Sequence, residues 1–392
     1  MPAAPALAEG VWTEAVISPA GVLNAVAYEN RISAWAAGNL GVVFHFKGSA
    51  WEVYPSGTDQ DLYGVAVSGG GQAWAVGAGG AIVHFDGNSW DLDPQSGAVT
   101  MQDLHAVAFL NESNGWVAGS GVVLHYDGTS WTKVLVTTRT LNGIAASSED
   151  YIWFCGNEGA LILFDGTTFT PYVVGAADWK GISFPYRRLG WAVGTGGAIA
   201  RFNPGKYTAD PHWGLVSSPT ALDLSGICVL PDPEWGYAVG AGGMRLALAD
   251  NGDWKVEASG GGDLRDVDLP NRMEGAAVGG SGTARIVMVR AKTTEKDLFQ
   301  VRVFPNPYDP GEGGVLTFDR LPANVKSIEI ITLRGEEVGS LGHGIEYDSA
   351  TGMAFWRGAN RRGKTVAAGP YLFRVSAPGV KDRKGTILVV KR

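Results

Sequence analysis

The chain is poor in the residues that carry most metal, redox and nucleophile chemistry. Its 392 residues include 2 cysteines, 6 histidines and 6 methionines, and charged residues make up 18%. Two cysteines cannot build a disulfide framework. Cys155 and Cys228 each lie in an apolar run, which reads as two buried free thiols. No apolar run reaches the ~18 residues of a membrane-spanning helix, so no membrane span is expected. No Cys/His metal spacing, phosphate loop, Ser/His/Asp set or Cys/His pair stands out. The expectation is therefore no metal, no cofactor and no catalytic residue. The start, MPAAPALAEG, has neither a basic n-region nor a long apolar stretch, although Ala6-Leu7-Ala8 looks like the end of a secretory leader. Residues 1–10 are read as a leader remnant or a disordered tail.

Glycine and tryptophan are abundant instead, at 57 and 14 residues. Together they suggest tight turns between short aromatic-rich strands. Aligned against itself, the chain shows seven copies of one unit. The copies begin LNAVAY (Leu23), LYGVAV (Leu62), LHAVAF (Leu104), LNGIAA (Leu141), WKGISF (Trp179), LSGICV (Leu224) and LRDVDL (Leu264). A second run follows each start (AWAAG, AWAVG, GWVAG, IWFCG, GWAVG, GYAVG, GAAVG), then a third such as VVFHF or AIVHF. In most copies a fourth follows, such as SAWEVY or SWDLD. Four short strands in about 40 residues, repeated around a ring, is the pattern of a β-propeller. The seventh copy lacks a fourth strand, and the segment Val11–Ile17 supplies a spare one. The expectation is an all-β chain: a seven-bladed propeller over 11–290, with four-stranded blades and the ring closed by the N-terminal strand. Such closure removes two exposed strand edges.

The stretches AWAVGAGGAIVHFDGNSW and GWAVGTGGAIARF resemble repeats of the photosystem II assembly factor-like propellers and, more loosely, of the Asp-box propellers. The turn departs from an Asp-box, because Asp86 and Gly87 are adjacent and no serine precedes them. The resemblance covers roughly residues 11–290 and implies architecture more than activity.

Residues 291–300 read as a linker. From Val301 the pattern changes to prolines, then alternating apolar and polar residues broken by Gly, Pro and Asn, which suggests a small Ig-like β-sandwich over 301–392. Phe304-Pro305-Asn306-Pro307, Thr332-Leu333-Arg334-Gly335-Glu336, Trp356-Arg357-Gly358, Ala368-Gly369-Pro370-Tyr371 and the basic end Lys391-Arg392 occur in that order. This order is similar to the C-terminal type-A sorting domain of the type IX secretion system, and to the Ig-like domain of flagellar hook-capping proteins. The first resemblance implies export, surface display and contact with secretion machinery through 301–392. Charge divides the same way. Residues 301–392 hold 14 Lys and Arg against 9 Asp and Glu, leaving 17 against 30 of the totals of 31 and 39. An acidic ring makes nucleic acid an unsuitable partner.

Within the ring, His45, His84 and His125 share one repeat position. Equivalent positions on neighbouring blades diverge, which excludes a shared metal ion. The recurring tryptophans (Trp35, Trp74, Trp116, Trp153 and Trp191, then Trp12, Trp51, Trp90, Trp131 and Trp254) read as packing between blades. The arginines scatter over the repeat, and no carboxylate pair is evident for glycoside cleavage. Asp61, Asp103, Asp178, Asp223 and Asp263 each immediately precede a unit start. Two readings stand: local turn chemistry, or an acidic funnel at a channel mouth that draws a cation or a basic segment. Tyr63, His105, Lys180 and Arg265, two residues further on, vary between units and are candidate specificity positions. His212 and Trp213 are candidate rim-loop contacts, with an exposed Trp as an anchor. The preferred function is non-catalytic binding of a protein partner at the cell surface. The alternatives are a polysaccharide-binding or glycoside-cleaving propeller and a structural subunit of an extracellular assembly.

Overall fold

A computed structural model describes residues 10–17, 22–48, 50–204, 212–230, 235–249, 252–271, 274–280, 284–291, 301–310, 315–319, 321, 325–348, 353–378 and 382–390. Residues 1–9 and 292–300, and with them most of the expected leader remnant and linker, lie outside these. The chain divides into two compact units, Trp12–Val289 and a second one formed mainly by the residues after 290.

The first unit is a β-propeller. The second copy of the repeat shows its construction: Leu62–Gly69, Gln72–Gly77, Ile82–Phe85 and Trp90–Leu92 pair in sequence order as an antiparallel sheet. Small residues in the second strand, with burial on both faces, let neighbouring sheets approach closely. The closing glycine of that strand is sterically required. A Cβ on Gly77 would sit 1.9 Å from the Asp61 carbonyl oxygen. Gly119, Gly194, Gly240 and Gly279 face the carbonyls of Asp103, Asp178, Asp223 and Asp263 in the same way.

Four copies form separate four-stranded sheets in this order, and a fifth such sheet contains Gly10–Ile17, Ala284–Ala291, Glu274–Gly279 and Leu264–Asp268. The N-terminal strand thus lies beside the last strand of the final copy. The expected seven separate four-stranded blades are not what is seen. The third and fourth copies share one six-stranded sheet, because Trp131–Ser148 is a single 18-residue strand. Its first part pairs with Asn114–Tyr126, and its second part pairs with Tyr151–Gly156. No loop separates the two copies there, so the chain passes from one to the next without leaving the ladder. The inner strands of all seven copies nonetheless pack in series, and the last, Leu264–Asp268, packs on the first, Leu23–Asn30.

Aromatic pairs fill the joints between copies. Trp35 meets Trp90 at 5.2 Å and 86°, Trp74 meets Trp131 at 5.5 Å and 80°, and Trp191 meets Trp254 at 5.5 Å and 90°. At the closure, Trp12 meets Tyr237 at 4.9 Å and 73°. These edge-to-face contacts suit the ring quadrupoles. Within a copy, His45 and His84 stack on Trp35 and Trp74 at 4.0 Å, and His125 lies against Trp116 at 4.4 Å. Each histidine belongs to its own tryptophan, and burial pushes each imidazole pKa down.

The second unit is not the expected two-sheet Ig-like sandwich. It is one eight-stranded sheet in the order Arg302–Phe304, Leu316–Asp319, Met353–Trp356, Gly344–Asp348, Glu337–Leu341, Ser327–Thr332, Gly369–Ser376, Arg383–Val389. A short parallel pairing of Ser340 with Gly344 and Leu341 with Ile345 joins what would have been separate sheets. The two ends approach at Tyr308, whose N–H donates to Leu388 O and whose carbonyl accepts from Val390 N. Asn306 completes the seam: its Nδ2 donates to Thr386 O at 2.9 Å and its Oδ1 accepts from Leu388 N at 2.8 Å. The core is Tyr308, Phe318, Trp356 and their neighbours.

Candidate functional site

Every inner strand begins with a break in register. The pairing skips from Leu23 to Ala25, Leu62 to Gly64, Leu104 to Ala106, and Leu141 to Gly143. It skips likewise from Trp179 to Gly181, Leu224 to Gly226, and Leu264 to Asp266. The residue passed over is therefore always the second of its copy. A bulge re-aims the side chain that it frees. All seven freed residues line one cavity of about 170 Å³ among the strand starts: Asn24, Tyr63, His105, Asn142, Lys180, Ser225 and Arg265.

The structure thus brings together Tyr63, His105, Lys180 and Arg265, and adds Asn24, Asn142 and Ser225, which the sequence reading passed over. They are knit to each other and to the backbone. Asn24 Nδ2 donates to Leu62 O at 2.7 Å and to Asn39 Oδ1 at 2.8 Å, while its Oδ1 accepts from Arg265 Nη1 at 2.6 Å. Asn142 repeats the pattern, with Trp179 O at 2.7 Å and Asn157 Oδ1 at 2.8 Å. Lys180 Nζ is 3.5 Å from Asn157 Oδ1 and 3.9 Å from Asp178 Oδ2. The Tyr63 and His105 rings stack at 5.6 Å, and His105 Nε2 lies 3.0 Å from Ser120 Oγ. Burial, then the Lys180 ammonium, holds the His105 pKa down, and burial with Asp103 and Asp61 nearby raises that of Tyr63. Asp266 also lines the cavity, and its copy-mates at that position are all Gly or Ala.

The five aspartates do something else. Each carboxylate accepts a backbone N–H from the turn between the second and third strands of the preceding copy. The pairs are Leu40 N to Asp61 at 2.8 Å, Gly79 N to Asp103 at 2.9 Å, and Glu158 N to Asp178 at 2.9 Å. Gly196 N to Asp223 at 2.7 Å and Gly242 N to Asp263 at 2.8 Å complete the set. In all five turns that residue is left-handed, with φ between 57° and 65°. The backbone carbonyl of the same aspartate accepts from its own copy, as in Ala78 N to Asp61 O at 2.8 Å. One residue therefore ties two copies together. Two of the seven starts lack the aspartate: Val22 precedes Leu23 and Thr140 precedes Leu141. At Thr140 the facing turn of the third copy is one residue shorter, Ser120-Gly121 where the second has Ala78-Gly79-Gly80, so a single left-handed residue, Gly121 at φ 75°, stands where the second copy has two. Each of the five carboxylates is thus engaged in turn chemistry.

Trp213 is not a loop anchor. It opens the strand Trp213–Val216, is 8% exposed, and meets Trp153 edge-on at 5.6 Å and 82°. It is the fourth-strand tryptophan of the fifth copy, hidden from the repeat alignment by the longer segment before it. His212, left-handed at φ 63°, packs its ring against Phe202 at 6.0 Å. Trp35, Trp74, Trp90, Trp116, Trp131, Trp153, Trp191 and Trp254 are buried, and so offer no face to a sugar. Arg201 lies over Trp191 and Arg245 over Trp12. Among the described residues no group of three or more His, Cys, Asp or Glu could hold a metal ion, and no helix is long and apolar enough to cross a membrane.

No family model matches the sequence, and no curated protein matches it. Solved structures match the fold. A structure described as YCF48 bound to D1 peptide is 16% identical, with a TM-score of 0.58, over 74% of this chain and 99% of that one. YCF48 from Cyanidioschyzon merolae is 15% identical, with a TM-score of 0.58, over 70% and 98%. PorZ, described as an essential bacterial surface component of the type-IX secretion system of Porphyromonas gingivalis, is 16% identical with a TM-score of 0.55. That match covers 93% of this chain and 59% of PorZ. At these identities the likeness establishes the propeller fold alone.

Proposed function

We propose that the propeller is a non-catalytic binding module that receives a segment of a protein partner over the cavity at the inner-strand starts. One observation carries this reading: seven register breaks deliver seven side chains of differing chemistry into one cavity, on a frame that is otherwise repetitive. Variation confined to convergent positions is what a specificity surface requires. A propeller solved with a peptide bound, YCF48, is consistent with that use of the fold.

We further propose that residues 301–392 serve attachment or sorting at the cell surface. The order of the Phe-Pro-Asn-Pro, Trp-Arg-Gly and Gly-Pro-Tyr motifs supports this, as does the likeness to PorZ over most of the chain. Several motif residues have structural work of their own. Asn306 seals the sheet, Trp356 Nε1 donates to Ala359 O at 2.9 Å, and Tyr371 OH donates to Ala367 O at 2.8 Å.

The test is capture from cell-surface extract at moderate salt with the full chain, compared with a Tyr63→Ala/Lys180→Ala/Arg265→Ala variant. A near-stoichiometric protein captured by the parent and lost with the variant is expected. Capture of polysaccharide without protein would overturn the reading.

A further inference from the structure

The acidic rim at the strand starts has two gaps, and both fall where the cavity changes character. The first and fourth copies carry Val22 and Thr140 in place of the aspartate. These same two copies place an asparagine at the freed position, Asn24 and Asn142. They also carry an asparagine just after the second strand, Asn39 and Asn157, where the other five have Ala78, Ser120, Thr195, Ala241 and Gly280. Each pair is joined, Nδ2 of the freed residue donating to Oδ1 of the turn residue at 2.8 Å. Each pair is met by a cation from a neighbouring copy. Arg265 Nη1 of the seventh copy donates to Asn24 Oδ1 at 2.6 Å, and Lys180 Nζ of the fifth lies 3.5 Å from Asn157 Oδ1. The copies pack in chain order around the ring, so the two stations stand on opposite sides of the cavity.

The cavity holds more donors than acceptors. Arg265 spends one N–H on a neutral amide and makes no ion pair among the described residues. Lys180 lies 3.9 Å from Asp178 Oδ2, with both side chains about a third exposed, which makes a weak pair. The hydroxyls of Tyr63 and Ser225 have no hydrogen-bond partner among the described residues. Asp266 is the carboxylate in the lining, and both its oxygens accept backbone N–H groups, from Val26 and Val267. The two cations act across the cavity: the Lys180 ammonium helps to lower the His105 pKa, and the Arg265 guanidinium opposes the rise at Tyr63.

We infer that the cavity takes one acidic side chain of the partner segment, its carboxylate held between Arg265 and Lys180, and that the segment is basic on either side of that residue. This rests on the reading of the cavity as the binding site and names the chemistry of its ligand. Guanidinium and ammonium donors form charge-assisted hydrogen bonds to a carboxylate, stronger than those to a neutral amide. The five rim aspartates repel any further acid and favour lysine or arginine on the flanks. The aspartate and the freed residue of one copy are two residues apart, about 7 Å along an extended chain. The basic side chains therefore belong two residues from the acid. A cavity of about 170 Å³ has room for a carboxylate side chain and none for a folded element.

The probes are three fluorescent peptides with capped ends: Gly-Lys-Gly-Glu-Gly-Lys-Gly, the same with glutamine at the centre, and Gly-Glu-Gly-Lys-Gly-Glu-Gly. Binding to the full chain is followed by anisotropy, and its place by hydrogen exchange. The glutamate peptide is expected to slow exchange at the strand starts and to bind at least ~10-fold more tightly than the other two. Lys180→Gln/Arg265→Gln should erase the preference for glutamate over glutamine, and Lys180→Arg, which keeps the charge, should retain it. Arg265 is exposed and Lys180 half-buried, so these changes leave the fold in place. The inference is overturned by equal binding of the glutamate and glutamine peptides, by tighter binding of the inverted peptide, or by no binding at millimolar peptide. A preference that survives the double substitution would overturn it too. The proposed function is judged separately, by capture of the cell-surface partner. A partner captured by the parent and lost with the triple alanine variant, alongside equal binding of the peptides, would refute the charge pattern alone.

Discussion

Replacing Asp266 with asparagine should remove a pH dependence that one buried carboxyl imposes on the propeller. Asp266 Oδ2 accepts from Val26 N at 2.9 Å and its Oδ1 accepts from Val267 N at 2.9 Å, so it bridges the last inner strand to the first. Burial raises its pKa to about 7, with Asp268 adding to the rise and the two N–H groups opposing it. In the unfolded chain the group releases its proton near pH 4. Between pH 4 and 7 the folded state alone holds the proton, so stability falls by about 1.4 kcal/mol per pH unit. About one unit above pH 7 both states are ionised and the loss is complete. His45, His84, His105 and His125 act in the opposite sense. Their lowered pKa values mean that stability is lost as pH falls below the unfolded value of about 6.5. The informative quantity is thus the difference between the parent and Asp266→Asn. Urea unfolding followed by tryptophan fluorescence suits it, since all 14 tryptophans except Trp356 precede residue 300. The parent should lose about 2 kcal/mol relative to the variant from pH 5 to 7, and a few tenths more by pH 8. A difference that is constant with pH, or that grows in the parent's favour, would refute the reasoning and mean that the N–H pair keeps Asp266 ionised.

Three further outcomes follow from the contacts described. Trp213→Ala should cost about 3–5 kcal/mol, as expected of a buried aromatic in a joint; a cost under about 1 kcal/mol in denaturant titration would place Trp213 outside the core. Asp103→Ala should cost about 1 kcal/mol and speed hydrogen exchange at the Gly79 amide, which it alone clamps in the turn, while the corresponding Asp61 turn is unaffected. Asn306→Ala removes its two seam hydrogen bonds in the second unit and should lower its stability by about 1–3 kcal/mol; an unchanged melting transition would show that the Tyr308 backbone closes the sheet alone.

The ring was legible because each copy repeats the same steric demands: a small-residue second strand, a glycine under a carbonyl, an aromatic for the joint. Where those demands are met with unusual residues, reading by alignment failed. Trp213 escaped because its strand follows a longer segment. The third and fourth copies read as separate units in the sequence because a strand can run through a boundary that the repeat marks as a turn. The cavity was half legible. Tyr63, His105, Lys180 and Arg265 stood out as charged or aromatic; Asn24, Asn142 and Ser225 occupy the same position and needed only the register of the bulge to be found. Of the two readings of the aspartates, turn chemistry has its partner on the page, but the left-handed turn residue that each one satisfies lies in the preceding copy, about 20 to 27 residues away, where the sequence does not show it.

The most direct test of the binding account is hydrogen exchange of the full chain with and without its captured partner. The account gives slowed exchange at the seven inner-strand starts, around Asn24, Tyr63, His105, Asn142, Lys180, Ser225 and Arg265. It also gives loss of that protection in the Tyr63→Ala/Lys180→Ala/Arg265→Ala variant. Undiminished capture by that variant, with exchange at the strand starts unchanged by the partner, would contradict it.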